Sequence, residues 1–489
     1  MRNMSTSLPT ECWMGILNFL EPNDIVSVLA VCRDFHSSFL SLVYNRISWE
    51  WETVPLARIL QLLRTILKNP ELALLIQHVT IVSPSRNTIL YSWNDAKVKC
   101  DMKEETVGYT DVVELAQVLV KYAKFPDALK WNEALENGNP YAFVAILLSQ
   151  LHNLRSLRLD YSFVWKSGFP GLMMKHALFS APEGLLSRFT SLATVDYGSN
   201  VPIAEEFNPL FNSFDTTPGY PLCDPNQFMA WFHLPSIQSL SIWLRSFQEV
   251  ITERSRPQAN LNQLQTLVLA RATIREDEVP DLLSQMSTLK TLHLGLAYRW
   301  HDEELLNNPY YIIEGLEYVS QTVENLSLGL EYYPYSQWEY YFDSQDYWSR
   351  ELFQGFLKEF PRLRSAEVPI SLLLGMDDED PVNIEKISSL LPPTLEELCL
   401  QWDNVEVIGT WSGEVKLHDC VRYLLIDLRS HSPNLKRVAI RQSMGSPVGT
   451  KGWEKERAEL QVECAQVGIE LQLVFDYLSP GLWTQEAHI

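Results

Sequence analysis

Leu8 to Ile47 reads LPTECWMGILNFLEPNDIVSVLAVCRDFHSSFLSLVYNRI, and its spacing predicts three short helices packed into one small unit. The first is expected to open at Pro9, whose fixed φ suits a first helical position, with Glu11 in the favourable first turn. Trp13, Ile16, Leu17 and Leu20 recur at intervals of three and four, so they share one stripe. Glu21-Pro22-Asn23-Asp24 breaks that helix, and Asn23 or Asp24 is placed to cap a second with stripe Ile25, Val28 and Leu29. Cys32, Phe35, Phe39, Leu42 and Val43 mark the third. A unit of about 40 residues rarely buries enough apolar surface alone. Part of this one is therefore expected to lie inside the three helices and part against another surface.

These residues resemble an F-box. The family pattern of Leu-Pro then Glu, an apolar pair before a Leu-Glu/Pro-x-x-Asp turn, and Val-Cys-Arg with an aromatic soon after is met here by Leu8, Pro9 and Glu11, by Ile16, Leu17, Leu20, Pro22 and Asp24, and by Val31, Cys32, Arg33 and Phe35. Phe35 stands where the family usually has Trp. The resemblance implies docking of a Skp-type adaptor, itself joined to a cullin scaffold in an SCF ubiquitin ligase, through Leu8, Pro9, Glu11, Ile16, Leu17, Leu20, Asp24, Val31 and Cys32. It covers about a tenth of the chain and carries no information on a substrate.

The whole chain has 489 residues, 46% of them hydrophobic, too many for one small core. Its formal net charge of -22 argues against nonspecific nucleic-acid binding and against an anionic membrane surface, and leaves a basic or neutral protein partner open. Cysteines at 12, 32, 100, 223, 399, 420 and 464 are scattered, with no CxxC pair, which fits a reducing compartment, cytoplasmic or nuclear. The N-terminal MRNMSTS has no apolar core of a signal peptide, and no run is long and apolar enough to span a membrane.

From Ile76 an apolar-x-x-apolar-x-apolar pattern recurs: Ile76-Val79-Ile81, Leu154-Leu157-Leu159, Leu192-Val195, Ile237-Leu240-Ile242, Leu264-Leu267-Leu269, Leu289-Leu292-Leu294, Val323-Leu326-Leu328, Leu363-Ala366-Val368, Leu395-Leu398-Leu400, Leu435-Val438-Ile440 and a final Ile469-Leu471-Leu473. Each copy reads as a turn that delivers one short strand with two side chains pointing into a core. Helical segments are expected between copies, at 112–122, 141–150, 303–319, 350–360, 382–391, 420–430 and 453–467. Strand and helix in alternation build a parallel sheet with helices on one side, which resembles a leucine-rich-repeat solenoid with its strands on the concave face and its helices outside. The intervals are irregular, from 25 residues (Leu264 to Leu289) to 78 (Ile76 to Leu154), and the Asn that usually closes the repeat's turn is mostly absent. Irregular repeats of this kind look like those of fungal F-box proteins. A generic α/β domain with a parallel sheet is the alternative. The expected class is α/β, with a three-helix F-box at 4–48, a helical linker at 49–75, a repeat region at 76–478 with insertions at 198–235 and 331–348, and a tail at 479–489.

Side chains that alternate with the buried pairs face out of the strands. Arg158, Trp243, His293, Asn325 and Arg437 are the candidates there for contact with a protein substrate. The insertion EYYPYSQWEYYFDSQDYW from Glu331 to Trp348 adds Tyr333, Tyr335 and Trp338, since Tyr and Trp dominate binding hot spots. Chemistry is sparse. There is no phosphate loop, GxSxG, HExxH or zinc-spaced set, so neither a cofactor nor a metal is expected. His418-Asp419-Cys420 opens a helix, where Asp is a common cap, and Asp377 to Asp380 reads as a solvated loop. The chain is thus expected to be no enzyme but the substrate-recognition subunit of an SCF-type ligase, with an adaptor-bound scaffold that delivers no substrate as the alternative.

Overall fold

The computed structural model describes residues 8–17, 19–20, 22–51, 53–83, 109–201, 224–248, 261–299, 310–333, 355–369, 373, 384–402, 417–442 and 451–475. The chain divides into two compact units. One comprises residues 1–84, 96–196 and 229–236, and the other 85–95, 197–228 and 237–489.

The first unit opens with helices α1 (Thr10–Leu17), α2 (Pro22–Leu29) and α3 (Arg33–Tyr44). Leu17, Leu29 and Phe39 form their buried centre, with Trp13, Leu20, Ile25, Val28, Phe35, Leu42 and Val43 packed around it. The three predicted stripes thus converge on one core, Ile16 excepted. Strand β1 (Arg46–Glu50) follows at once, in parallel register with β2 (His78–Val82): Ile47 lies beside Val79 and Trp49 beside Ile81. This corrects the expectation of a helical linker from Trp49. The segment alternates exposed and covered side chains at a period of two, and the helix waits until α4 (Leu56–Lys68), beyond Pro55. The sheet therefore starts one strand before the first copy of the apolar pattern. Strands β3 (Ser156–Leu159) and β4 (Thr194–Tyr197) extend it in chain order.

Helices α5 (Pro70–Ala73), α6 (Tyr109–Tyr122), α7 (Ala128–Glu136), α8 (Pro140–Leu148), α9 (Tyr161–Trp165) and α10 (Phe169–Phe179) complete the unit. Every residue of α8, PYAFVAILL, is buried, so this helix is enclosed on all sides. Asn139 caps it, its Oδ1 accepting from the N–H groups of Tyr141 and Ala142 at 2.9 and 3.2 Å, and Pro140 takes the first position, where no N–H is needed. Trp51 stacks between Tyr141 and Phe163, with ring centroids 5.1 and 4.4 Å away, and so ties the end of β1 to the buried helices.

The second unit holds β5 (Ser239–Ile242), β6 (Thr266–Ala272), β7 (Thr291–Arg299), β8 (Asn325–Tyr333), β9 (Ser365–Pro369), β10 (Glu397–Trp402), β11 (Arg437–Gln442) and β12 (Glu470–Phe475), parallel and in chain order, in a sheet that does not close into a barrel. Register aligns Leu240, Leu267, Leu292, Leu326, Ala366, Leu398, Val438 and Leu471 in one buried row. Its helices are α11 (Glu278–Leu283), α12 (Tyr310–Val319), α13 (Leu417–Leu425), α14 (Leu428–His431) and α15 (Lys451–Gln466). Where the helices over 350–360 and 382–391 were expected, the described residues form 3-10 turns at Phe356–Glu359 and Ile384–Leu390. Pro361 and Pro392 follow closely, and the residue before a proline avoids the α region. The segment expected as one helix over 420–430 is two, α13 and α14, split where Asp427 takes a left-handed φ of 53°.

Gly315 in α12 lets that helix approach α11 closely. A Cβ there would lie 2.7 Å from Val279 Cγ1 and 3.1 Å from the Pro280 nitrogen, whereas one on Gly15 in α1 would meet nothing within 4 Å. Ala is favoured over Gly inside a helix by about 1 kcal/mol, so the two sites separate propensity from packing. Gly15→Ala is expected to raise the thermal midpoint slightly or leave it unchanged. Gly315→Ala is expected to lower stability by roughly 1–3 kcal/mol in calorimetry, because the backbone it meets must shift.

Candidate adaptor surface and the polar row of the sheet

The three N-terminal helices keep part of their apolar surface for themselves and present the rest. Cys32 caps α3, its Sγ accepting from the Phe35 N–H at 3.5 Å. The Phe35 ring meets Trp13 edge-on at 5.0 Å and Phe39 at 5.7 Å, which fixes α1 against α3. This accounts for the inward residues. Leu8, Met14, Ile16, Phe19 and Val31 lie on the outside, with Phe19 93% and Val31 72% exposed. Five large apolar side chains in so short a stretch exceed the scatter of single exposed residues normal on a soluble surface.

The structure divides the predicted adaptor set accordingly. Leu17 is buried in the core, Leu20 and Cys32 are half-buried, and Leu8, Pro9, Glu11, Ile16, Asp24 and Val31 are exposed. Ile16 and Leu17, adjacent and equally apolar, have opposite roles. Met14 and Phe19 were not among the predicted residues. Met14 stands about 160° round the helix from Ile16 and Phe19 follows the end of α1, so helical phase alone would not have gathered them into the set.

The candidates on the strands separate in the same way. In the first unit, Arg158 on β3 pairs with Asp196 on β4 at 3.1 Å, and the Arg side chain remains well exposed. In the second, Arg437 bridges Glu397 at 2.9 Å and Glu470 at 3.7 Å across three neighbouring strands, and Asn325 Nδ2 donates to Thr291 Oγ1 at 3.2 Å. Tyr333 ends β8. Tyr335, Trp338 and Asp377 to Asp380 lie outside the described residues.

Trp243 and His293 overturn the expectation of an open face. Both are buried, although their parity is as predicted. The backbone N–H of Trp243 donates to the Tyr197 carbonyl at 3.3 Å and its ring sits 5.8 Å from that of Phe228. His293 begins a polar row: Ser327 and Glu367 follow it in register on β8 and β9, and Gln401 and Arg441, in register with each other, join two residues further along β10 and β11. With the hydroxyl of Ser327 donating to Glu367 Oε2 at 3.1 Å, the neutral His293 ring donates through Nδ1 to Ser327 Oγ at 2.8 Å. Gln401 Nε2 donates to Glu367 Oε1 at 2.9 Å, and Arg441 Nε stands 3.3 Å from the same oxygen. These side chains are buried and turned onto one another along the sheet.

Glu367 is fully buried, and a buried carboxylate requires both a countercharge and hydrogen bonds. Arg441 supplies the first, Ser327 and Gln401 the second. Aligning the repeats by their apolar pairs would have placed Glu367 in this row. Gly295 gives the His293 ring its space, since a Cβ there would come 2.8 Å from Nε2 and 2.7 Å from the Leu269 carbonyl oxygen. Beside it, the register of β6 shifts between Leu269 and Ala272, where Arg271 takes a left-handed φ of 49° and donates to the Val201 carbonyl at 2.6 Å. Burial, then the positive charges of Arg441 and Arg271, push the His293 pKa down to about 3. The ring is neutral throughout the physiological range.

No group of three or more His, Cys, Asp or Glu side chains arranged to hold a metal ion occurs among the described residues. No helix among them is long and apolar enough to cross a membrane. His418-Asp419-Cys420 falls in the first turn of α13.

A family model described as F-box-like matches residues 5–48, which span the three N-terminal helices and the start of β1. No curated protein matches the chain.

Because the folded pKa of His293 lies below the ordinary value of 6.5, the unfolded chain binds the extra proton, and this contribution to stability is complete above pH 6.5 and lost as pH falls toward 3. Relative to His293→Asn, wild type should lose about 1.4 kcal/mol per pH unit below 6.5. Denaturant melts of both proteins between pH 7 and pH 4.5 measure that difference. Parallel pH profiles would contradict it.

Proposed function

We infer that this chain is the substrate-recognition subunit of an SCF-type ubiquitin ligase. The observation that carries the inference is the F-box-like unit at residues 5–48, which has its own core and still exposes Leu8, Met14, Ile16, Phe19 and Val31. F-box domains bind Skp-type adaptors, and that apolar edge is the surface we assign to the adaptor. Glu11 and Asp24, both exposed, are the residues we assign to its polar rim. Through the adaptor the chain would join the cullin scaffold.

The remainder, from β1 onward, we read as an irregular leucine-rich-repeat solenoid that holds a protein substrate. Its in-order parallel strands and recurrent Leu rows support this reading. Of the residues considered for substrate contact, Arg158, Asn325 and Arg437 keep accessible side chains. They are the ones we retain, with the insertion at 331–348 as a second contact region. The mechanism is tethering. Holding adaptor and substrate on one chain raises the effective concentration of substrate lysines near the conjugating enzyme, and assigns the chain itself no catalytic step. Such a role belongs in the cytoplasm or nucleus.

Two variants test the assignment of the edge. Leu8→Ala with Val31→Ala removes exposed anchors and should weaken binding of a purified Skp-type adaptor about thirtyfold, since losing interface anchors costs about 2 kcal/mol or more, with no change in thermal midpoint. Leu17→Ala should instead cost roughly 2–5 kcal/mol of stability, being a core truncation. Calorimetric titration that finds the double variant binding as tightly as wild type, or wild type not binding at all, refutes the adaptor reading.

A further inference from the structure

Helix α12 has two unlike faces. Ile312, Gly315, Leu316 and Val319 are buried, and the approach at Gly315 seats them tightly on α11. On the other side stand Tyr310, Tyr311 and Tyr318, 46%, 37% and 54% exposed, with the carboxylates of Glu314 and Glu317 between them. Positions 310, 314 and 317, and 311, 314 and 318, are three, four or seven apart, so the five side chains share one side of the helix. The rings of Tyr310 and Tyr311 are 6.4 Å apart at 64°.

Single exposed aromatics are ordinary, but this helix of ten residues presents three. Tyr supplies large contact area at low entropic cost, and α12, pinned from behind, offers it ready-placed. The chemistry of the face names the occupant. A tyrosine ring attracts a cation over its plane, and a carboxylate takes the same cation through charge-assisted hydrogen bonds. Neither α12 nor α11, against which it packs, contains Lys, Arg or His to neutralise these charges. The net charge of -22 favours the same sign of partner over longer range.

We propose that the outer face of α12 docks a basic segment, rich in arginine or lysine, of a protein partner. This names a partner class for the recognition role proposed above and rests on that role for its biological use. Binding at the face requires no adaptor, so failure here leaves adaptor docking standing.

The test is fluorescence anisotropy of the full chain with a labelled nonapeptide of alternating arginine and glycine, and with its glutamate counterpart. Wild type is expected to bind the arginine peptide, more weakly as salt rises, and not the glutamate peptide. Tyr311→Ala with Tyr318→Ala should weaken binding by about tenfold, and Glu314→Gln with Glu317→Gln by about fivefold. Glu114→Gln with Glu133→Gln, which removes two exposed charges in the first unit, should leave it within about twofold. The isosteric Glu→Gln pair keeps the test decisive even if the tyrosine variant unfolds. No binding by wild type, equal binding by the α12 variants, or an equal loss in the first-unit variant overturns the proposal, the last by revealing only general attraction to an acidic chain.

Discussion

At nine of the turns that enter a strand one main-chain carbonyl accepts two N–H groups from the next turn. In the first unit Asn45 accepts from Gln77 and His78, Gln77 from Arg155 and Ser156, and Arg155 from Ala193 and Thr194. In the second the chain of bonds runs from Gln238 through Gln265, Lys290, Glu324, Arg364 and Glu396 to Lys436, each accepting from its successor at 2.7–3.2 Å. A carbonyl has two lone pairs, and both are used. Because register is set at the strand's entrance by backbone alone, the segment between strands is free to vary in length. The side chains at the accepting positions are Asn, Gln, Arg, Lys and Glu, and their identity does not matter to the bond.

Register fixed in this way aligns everything downstream of the turn. The Leu row is one result, with each residue facing its counterpart on the next strand. The polar row is another, since a slip of one residue would send His293, Ser327, Glu367 and Arg441 to the opposite face, among the leucines. A buried Glu and Arg contribute little net stability, but their mutual demand penalises any other pairing strongly. Apolar rows favour many registers of this sheet, and the polar row is compatible with one.

The sequence carries these features unequally. The apolar spacing marked all eleven strands beyond β1, because a residue that always meets the same neighbour must keep the same chemistry. β1 escaped that reading: Trp49 and Trp51 precede a strongly amphipathic helix, and only pairing with β2 makes the stretch a strand. The stripes of the N-terminal helices were legible, yet which apolar residues face outward was not, as Ile16 and Leu17 show. Trp243 and His293 mark a different limit. Parity says which side of a strand a residue takes, whereas burial of that side depends on residues distant in sequence. Glu367 lay unnoticed in Ser-Ala-Glu-Val-Pro because no local pattern announces a carboxylate whose partners come from three other strands.

The proposed role requires the N-terminal helices to act as a docking unit. Hydrogen exchange of the full chain with and without a purified Skp-type adaptor tests this most directly. It should show slowed exchange among the amides of residues 8–33, with those of β9 to β12 unchanged. Unaltered exchange over residues 8–33, or protection confined to the strands, would contradict it.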